Sequence, residues 1–124
     1  MDQLILHLIG DYVTQTDWMA KNKTSSIFIA TLHSAIYSLP FLLLSPSILA
    51  IAVIFGTHVA IDRFRLARFV IFAKNKVTEP GLLWVDACKT GFHNDAPPWL
   101  ATWLLIVVDN TMHLTINYAS LRWL

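Results

Sequence analysis

Residues 24–61 contain no Asp, Glu, Lys or Arg, and this long uncharged stretch constrains the fold more than any other feature. It is long enough for two helices of about 18–20 residues, the length that a bilayer core requires. A buried hairpin in a soluble domain is the alternative, but a chain of 124 residues has little protein to cover it. Charged residues make up 14% of the chain, against roughly 25% in soluble domains. The sequence therefore predicts a protein embedded in a membrane.

Composition also excludes several classes of protein. The formal net charge is only +1, and no basic arm or zinc-finger spacing is present, so no nucleic-acid partner is expected. Cys88 is the single cysteine, which excludes an internal disulfide framework and a CxxC redox motif. The first residues lack the basic region and cleavage site of a secretory signal, so residues 1–16 are expected to form a working helix. We expect one domain over residues 1–124.

Capping and breaking residues predict an all-α, four-helix transmembrane bundle. Helix one is expected from Asp2 to about Gln15 or beyond, ending at residues 21–26. Helix two begins at a cap on Ser25 or Ser26 and reaches about Leu44, with a kink at Pro40 in its last turn. Helix three is expected over about residues 48–72, with Ser47 as its cap. A mostly irregular loop (73–97) follows, in which a short amphipathic piece (82–89) lies on the membrane surface. Helix four is expected over about residues 98–122.

The basic residues predict how this bundle is oriented. Eight of them fall at one end of the four-helix layout, and the positive-inside rule makes that end cytoplasmic. We therefore expect the inner membrane of a bacterial cell, with both termini on the opposite side. Helix one is the weakest span because it is short and carries Asp11 and Asp17. The eight residues are Lys21, Lys23, Arg63, Arg65, Arg68, Lys74, Lys76 and Lys89.

Three His/Asp pairs with a spacing of four residues lie inside these apolar segments, and a fourth histidine lies alone. Residues four apart share one face of a helix, and burying them is costly unless they pair or bind a metal. Helices one and three should be parallel and read His-x-x-x-Asp, whereas helix four is antiparallel and reads Asp-x-x-x-His. Counting depth then predicts one layer of histidines and one of carboxylates. The residues are His7/Asp11, His58/Asp62, Asp109/His113 and His33.

These side chains predict a divalent metal site. Imidazole and carboxylate ligands suit Zn first, and also Mn or Fe. Seven donors exceed the needs of one tetrahedral ion, so either two ions bind or some carboxylates orient the imidazoles. With an open coordination position, the ion would activate water, and Asp11 or Asp62 could act as the general base. This chemistry predicts a metal-dependent hydrolase.

Other polar residues suggest further roles, each with a simpler alternative. Arg63, Arg65 and Arg68 could hold a phosphate ester or phospholipid-like substrate, although ordinary positive-inside anchoring is the favoured interpretation. His93 and Asp95, in the sequence His-Asn-Asp, could add ligands or a lid, but a surface turn is favoured there. Gln15 follows Asp11 by four residues on the same helix face and could support it.

The sequence is also compatible with two non-enzymatic functions. Buried Asp and His residues also serve metal-ion or proton carriers, and a His–Asp hydrogen-bond network can fix helix packing in a structural membrane protein. A carrier needs polar residues that continue to both membrane faces. Here the polar groups lead toward the cytoplasmic side, which favours a one-sided active site. Association into a homo-oligomer stays open as well.

The segment His-Leu-Ile-Gly-Asp-Tyr-Val-Thr-Gln-Thr-Asp-Trp-Met-Ala-Lys, residues 7–21, resembles the opening motif of a family of small bacterial and phage proteins. That family is known as domain of unknown function 3307, and its name implies no activity. His33 and the two later His/Asp pairs are similar to its pattern. A looser similarity is to the YdjM-like membrane-bound metal-dependent hydrolases, which implies metal-assisted hydrolysis of a phosphoester.

Overall fold

The computed structural model describes residues 2–124, and that part of the chain is all-α, with no strand. The predicted fold class is thus confirmed at the level of secondary structure. Short π-helical and 3-10 segments interrupt or join the α-helices. The α-helices are α1 (Asp2–Leu8), α2 (Asp17–Asn22), α3 (Ile27–Ser38), α4 (Ile48–Phe64), α5 (Ala67–Thr78) and α6 (Pro98–Trp123).

The predicted first helix is wrong in its extent, because the chain forms two helices with a π-helical segment between them. α1 runs directly into a π-helix over Ile9–Val13, after which the helix stops. Thr16 then adopts an extended conformation and its hydroxyl accepts a hydrogen bond from the Met19 amide at 3.3 Å, which starts α2. A hydroxyl at this position satisfies an amide that would otherwise lack a partner, and so favours a new helix.

The serine caps that the sequence predicts are confirmed. Ser26 accepts a hydrogen bond from the Ile29 amide at 3.4 Å at the start of α3. Ser47 accepts one from the Ala50 amide at 3.0 Å at the start of α4. Pro40 lies where α3 gives way to a 3-10 helix over Leu39–Leu44, since a proline ring is incompatible with a continuing α-helix.

Helix three is shorter than predicted and a separate helix follows it. α4 ends at Phe64, and Arg65 adopts a left-handed conformation with φ +52°, so the helix cannot continue to residue 72. The Arg65 guanidinium donates to the Lys89 carbonyl at 2.9 Å. α5 takes in the first residues of the predicted loop, up to Thr78. The predicted amphipathic piece over 82–89 contains only a 3-10 turn, Trp84–Asp86.

The chain divides into two compact units. The first contains residues up to Phe64 together with His113–Leu124, and its apolar core consists of Leu6, Tyr37, Phe41 and Ile54. Within it, α3 packs along α4.

The second unit is Arg65–Met112. Its backbone makes a close approach at Gly91, where φ is +86° and an added Cβ would lie 2.3 Å from the Arg68 carbonyl oxygen. Only glycine fits this position, because a side chain would meet both the strained φ and the neighbouring backbone.

Two segments of the described chain are long and apolar enough to cross a membrane. They are Ile27–Leu44, with a mean hydropathy of 1.8, and Pro98–Trp123, with a mean hydropathy of 1.2. The first combines α3 with the 3-10 helix that follows it. A transmembrane bundle of four helices is therefore not confirmed, although two helices could cross a membrane.

Candidate metal centre

Four buried polar side chains meet inside the first unit. Asp11 comes from the π-helix, His33 from α3, and His58 and Asp62 from consecutive turns of α4. Their residues expose between 0% and 6% of their surface. Each offers one nitrogen or oxygen atom to the group, and these four atoms all lie within 4.8 Å of one another. The group, called the four-residue centre below, could hold a metal ion.

The distances within the four-residue centre are short and similar. The Nε2 atoms of His33 and His58 lie 3.0 Å apart. Asp11 Oδ1 lies 3.1 Å from the Nε2 of His33 and 3.4 Å from that of His58. Asp62 Oδ2 lies 3.4 Å and 3.2 Å from the same two nitrogens. Both imidazoles therefore direct the same ring nitrogen at both carboxylates.

The π-helix sets the position of Asp11. Single π turns within helices are rare and are often found at functional sites. Gly10 makes this one compatible with the core, because a Cβ there would lie 2.5 Å from Cδ2 of the fully buried Tyr37. The glycine thus lets the segment that carries Asp11 approach α3 closely.

Tyr37 links the four-residue centre to its surroundings. Its ring stacks on His58 with centroids 3.7 Å apart. Its hydroxyl accepts a hydrogen bond from Asn117 Nδ2 at 2.6 Å and contacts His7 Nδ1 at 2.8 Å. Sequence reasoning missed Tyr37 and Asn117, although each follows a predicted ligand by four residues on the same helix face, Tyr37 after His33 and Asn117 after His113.

The structure separates the seven predicted ligands into those in the four-residue centre and those outside it. His7 lies beside the centre, with Nδ1 3.5 Å from Asp11 Oδ2. His113 lies on its other side, with Nε2 3.6 Å from Asp62 Oδ1 and its ring centroid 4.2 Å from that of His58. Asp109 is half-buried one turn earlier in α6, in the stretch that belongs to the second unit.

Both carboxylates of the centre are held in the ionised form. Burial raises the pKa of Asp11, but hydrogen bonds from His33 and His58 outweigh it and hold the pKa well below its usual range. Burial likewise raises the pKa of Asp62, and His113, His58 and the charge of Lys23 bring it well below its usual range. Ionised carboxylates are the form that binds a cation.

Lys23 is a charged neighbour that the sequence did not predict. Its Nζ lies 2.8 Å from Asp62 Oδ2, and its side chain is 17% exposed whereas that of Asp62 is 3% exposed. The two residues are far apart in the chain, and Lys23 falls in a polar stretch with the composition of an ordinary loop. No sequence signal marks it.

Gln15 and the three predicted arginines donate hydrogen bonds to main-chain carbonyls. The Gln15 amide nitrogen donates to the Asp11 carbonyl at 3.1 Å. The guanidinium groups of Arg63 and Arg68 donate to the main-chain carbonyls of Thr24 at 2.7 Å and Cys88 at 3.0 Å, as that of Arg65 does to Lys89. These contacts fix backbone segments within each unit.

His93 and Asp95 lie in the second unit. His93 Nδ1 is 3.3 Å from the largely exposed Asp95 carboxylate, and it also accepts a hydrogen bond from the Asp95 amide at 3.2 Å. This is the geometry of a surface turn.

Comparison with known proteins identifies one relationship. A family model described as "Protein of unknown function (DUF3307)" matches residues 1–119, which include every member of the four-residue centre. The chain belongs to the DUF3307 family. No curated protein and no solved structure matches it. The similarity to YdjM-like hydrolases is not among these matches and stays a prediction.

Proposed function

We propose that this DUF3307 protein is a membrane-embedded metal-dependent hydrolase of a phosphate ester or phospholipid-like substrate. The observation that carries the proposal is the four-residue centre. Two imidazole nitrogens and two carboxylate oxygens lie within 4.8 Å of one another. Five of the distances among them fall between 3.0 and 3.4 Å.

Hydrogen bonds alone explain this arrangement poorly. A neutral imidazole has a single N–H, so two rings facing each other and two carboxylates cannot provide a donor for every close contact. Two ionised carboxylates in a buried site also need compensating charge, of which Lys23, 2.8 Å from Asp62 Oδ2, supplies only one unit. A tetrahedral ion with bonds of about 2.0–2.1 Å places its ligand atoms about 3.3–3.4 Å apart, close to the distances present.

Zinc is the proposed ion, and Mn or Fe accept the same imidazole and carboxylate ligands. When bound, such an ion lowers the pKa of a coordinated water to about 7 and so supplies a nucleophile at neutral pH. Each carboxylate has a second oxygen that can take a proton from water. For Asp11 this oxygen faces His7 at 3.5 Å, and for Asp62 it faces His113 at 3.6 Å. These contacts would orient the base.

Exposed apolar side chains support a location in the membrane. Leu43 at the end of the first candidate span is 81% exposed, and Trp103 in α6 is 62% exposed. A soluble chain rarely leaves so many large apolar groups in water. We propose that both candidate spans cross a bacterial inner membrane and that α4, whose last turn lies beside the start of α3, brings the chain back across it. The eight basic residues from Lys21 to Lys89 then lie on one side, which the positive-inside rule makes cytoplasmic.

Hydrolysis is tested with detergent-purified protein, either loaded with Zn²⁺, Mn²⁺ or Fe²⁺ or stripped by a chelator, against a panel of phosphoesters. Release of phosphate or alcohol is expected from the loaded wild type and from His93→Ala, whose exposed imidazole lies in the second unit. Asp62→Asn and the stripped protein should lose the activity. Turnover that persists in Asp62→Asn, or none from any loaded form, would refute hydrolysis.

A proton carrier is the second candidate, because buried polar groups continue beyond the four-residue centre. The Tyr37 hydroxyl joins His7 to Asn117 at distances of 2.8 and 2.6 Å, and such chains can relay protons. Proteoliposomes would then show a proton flux that Tyr37→Phe abolishes. A flux equal to that of empty liposomes would exclude the carrier.

A further inference from the structure

Lys23 places a positive charge directly beside the four-residue centre. Its ammonium contacts Asp62 Oδ2 at 2.8 Å, the same oxygen that approaches the Nε2 atoms of His33 and His58. At 17% exposure, the lysine side chain is more open to solvent than the centre's own side chains, whose exposure does not exceed 9%. Lys23 therefore lies where a molecule arriving from solvent would reach the centre.

The backbone around Lys23 is held in place. Its amide donates to the Met19 carbonyl at 2.8 Å as the last turn of α2 ends. The next residue, Thr24, accepts a hydrogen bond from the Arg63 guanidinium at 2.7 Å. Lys21 differs, since it pairs with Asp17 on the surface, where both side chains are at least 70% exposed. Of these two lysines, only Lys23 contacts the four-residue centre.

Charge balance indicates what Lys23 does once a metal is bound. The two carboxylates of the centre, Asp11 and Asp62, carry two negative charges, which a divalent ion neutralises. The ammonium of Lys23 is then an excess positive charge in a poorly solvated position, where charge–charge interactions are stronger than in water. Burying an unbalanced charge is costly, and an anion bound next to it removes that cost.

We propose that Lys23 recognises the phosphate group of the substrate, holding one of its oxygens beside the metal centre. This inference rests on the proposed function, because it requires the ion that the four-residue centre is proposed to bind. Lysine binds phosphate as a point charge with three rotatable donors, which suits a ligand whose other oxygens face a metal.

Phosphate binding to the Co²⁺-loaded full chain tests this assignment without measuring turnover. Co²⁺ absorption reports both loading and any ligand that reaches the ion, so it is followed while inorganic phosphate is added. Wild type and the surface control Lys21→Gln should bind phosphate alike. Lys23→Gln keeps a hydrogen-bond donor but loses the charge, and should bind phosphate at least about tenfold more weakly. Lys23→Arg should retain most of the affinity.

A second titration shows whether the phosphate group belongs to a lipid headgroup or to a soluble phosphate ester. Dihexanoyl phosphatidate and dihexanoyl phosphatidylcholine, which share their chains, replace inorganic phosphate. Tighter binding of phosphatidate than of inorganic phosphate would identify a lipid headgroup, and equal binding a soluble phosphate ester. In both cases the Lys23→Gln effect should persist.

Three results would overturn the assignment. Phosphate affinity in Lys23→Gln within twofold of wild type would show that the charge does not act on the ligand. If the Lys23→Gln chain no longer takes up Co²⁺, Lys23 supports the structure of the metal site and is not assigned to phosphate binding. Wild type that binds Co²⁺ but no phosphate would also refute it, leaving the metal centre intact. Wild type that binds no Co²⁺ would refute the proposed function itself.

Discussion

At the scale of single residues, the site depends on side chains that lie far from one another in the sequence. The spacing of four residues between His58 and Asp62 was readable from the chain, because a helix brings such positions to one face. Counting depth placed His33 level with His58. Tyr37 follows His33 by four residues in the same helix, so this spacing could have placed it on the face that carries the site. Lys23 could not be predicted, since its contact depends on how the helices pack and no local pattern records that.

Tyr37→Phe is expected to lower the stability of the fold without removing the metal ion from the four-residue centre. The substitution removes the hydroxyl shared by His7 and Asn117 in a fully buried position but keeps the ring stacked on His58. The expected cost is about 1–3 kcal/mol in the free energy of unfolding, as for a buried polar group that loses its partner. Equilibrium denaturation in detergent measures it, with metal content as the second readout.

The control for this substitution is Tyr118→Phe, because Tyr118 is 55% exposed on α6. Its stability should stay close to that of wild type. If Tyr37→Phe proves equally stable, the shared hydroxyl does not contribute to holding His7 in place.

At the scale of elements, starts of helices were predicted better than their ends. Ser47 could be identified as one cap, and the pair Ser25 or Ser26 as the source of another, because a serine hydroxyl has a direct, local effect on the first turn. The end of α4 at Phe64 escaped prediction, since Arg65 carries no local sign that it will adopt a left-handed conformation. The π-helix that places Asp11 was also missed, because its stability comes from contacts with α3.

Gly10→Ala is expected to disturb the π-helix and weaken metal binding. The new methyl group would lie 2.5 Å from the Tyr37 ring and 3.1 Å from its carbonyl oxygen, so the segment must shift. Overpacking of this kind costs about 1–3 kcal/mol of stability. Denaturation and metal titration of the purified chain measure both effects.

Gly56→Ala is the matched control, because a Cβ at Gly56 in α4 meets nothing within 4 Å. It should leave metal binding unchanged and add about 0.5–1 kcal/mol of stability, as expected for alanine in place of glycine within a helix. Equal metal affinity in Gly10→Ala and Gly56→Ala would mean that the close approach at Gly10 does not position Asp11.

At the scale of the whole molecule, the uncharged stretch correctly predicted apolar helices, but a bundle of four membrane-spanning helices is not confirmed. Residues 27–44 and 98–123 meet the requirement, whereas α1 is too short once the π-helix ends it. The basic residues predict how the chain is oriented in the membrane, and a labelling experiment can determine this orientation.

Cys88, the single cysteine, should be cytoplasmic and therefore protected from a membrane-impermeant maleimide in intact cells. Labelling should appear after the membrane is permeabilised. In a Cys88→Ser background, Ser45→Cys in the exposed turn before α4 should be labelled in intact cells. The reverse pattern would invert the proposed orientation, and labelling of both positions in intact cells would show that α4 does not bring the chain back across the membrane.

Metal content of the detergent-purified full chain is the most direct test of the account. Wild type and His93→Ala should carry close to a stoichiometric amount of Zn, Mn or Fe by elemental analysis. His33→Ala/His58→Ala removes both nitrogens of the four-residue centre and should carry little. Metal in wild type no higher than in this double variant, under conditions where both are folded, would contradict a metal centre.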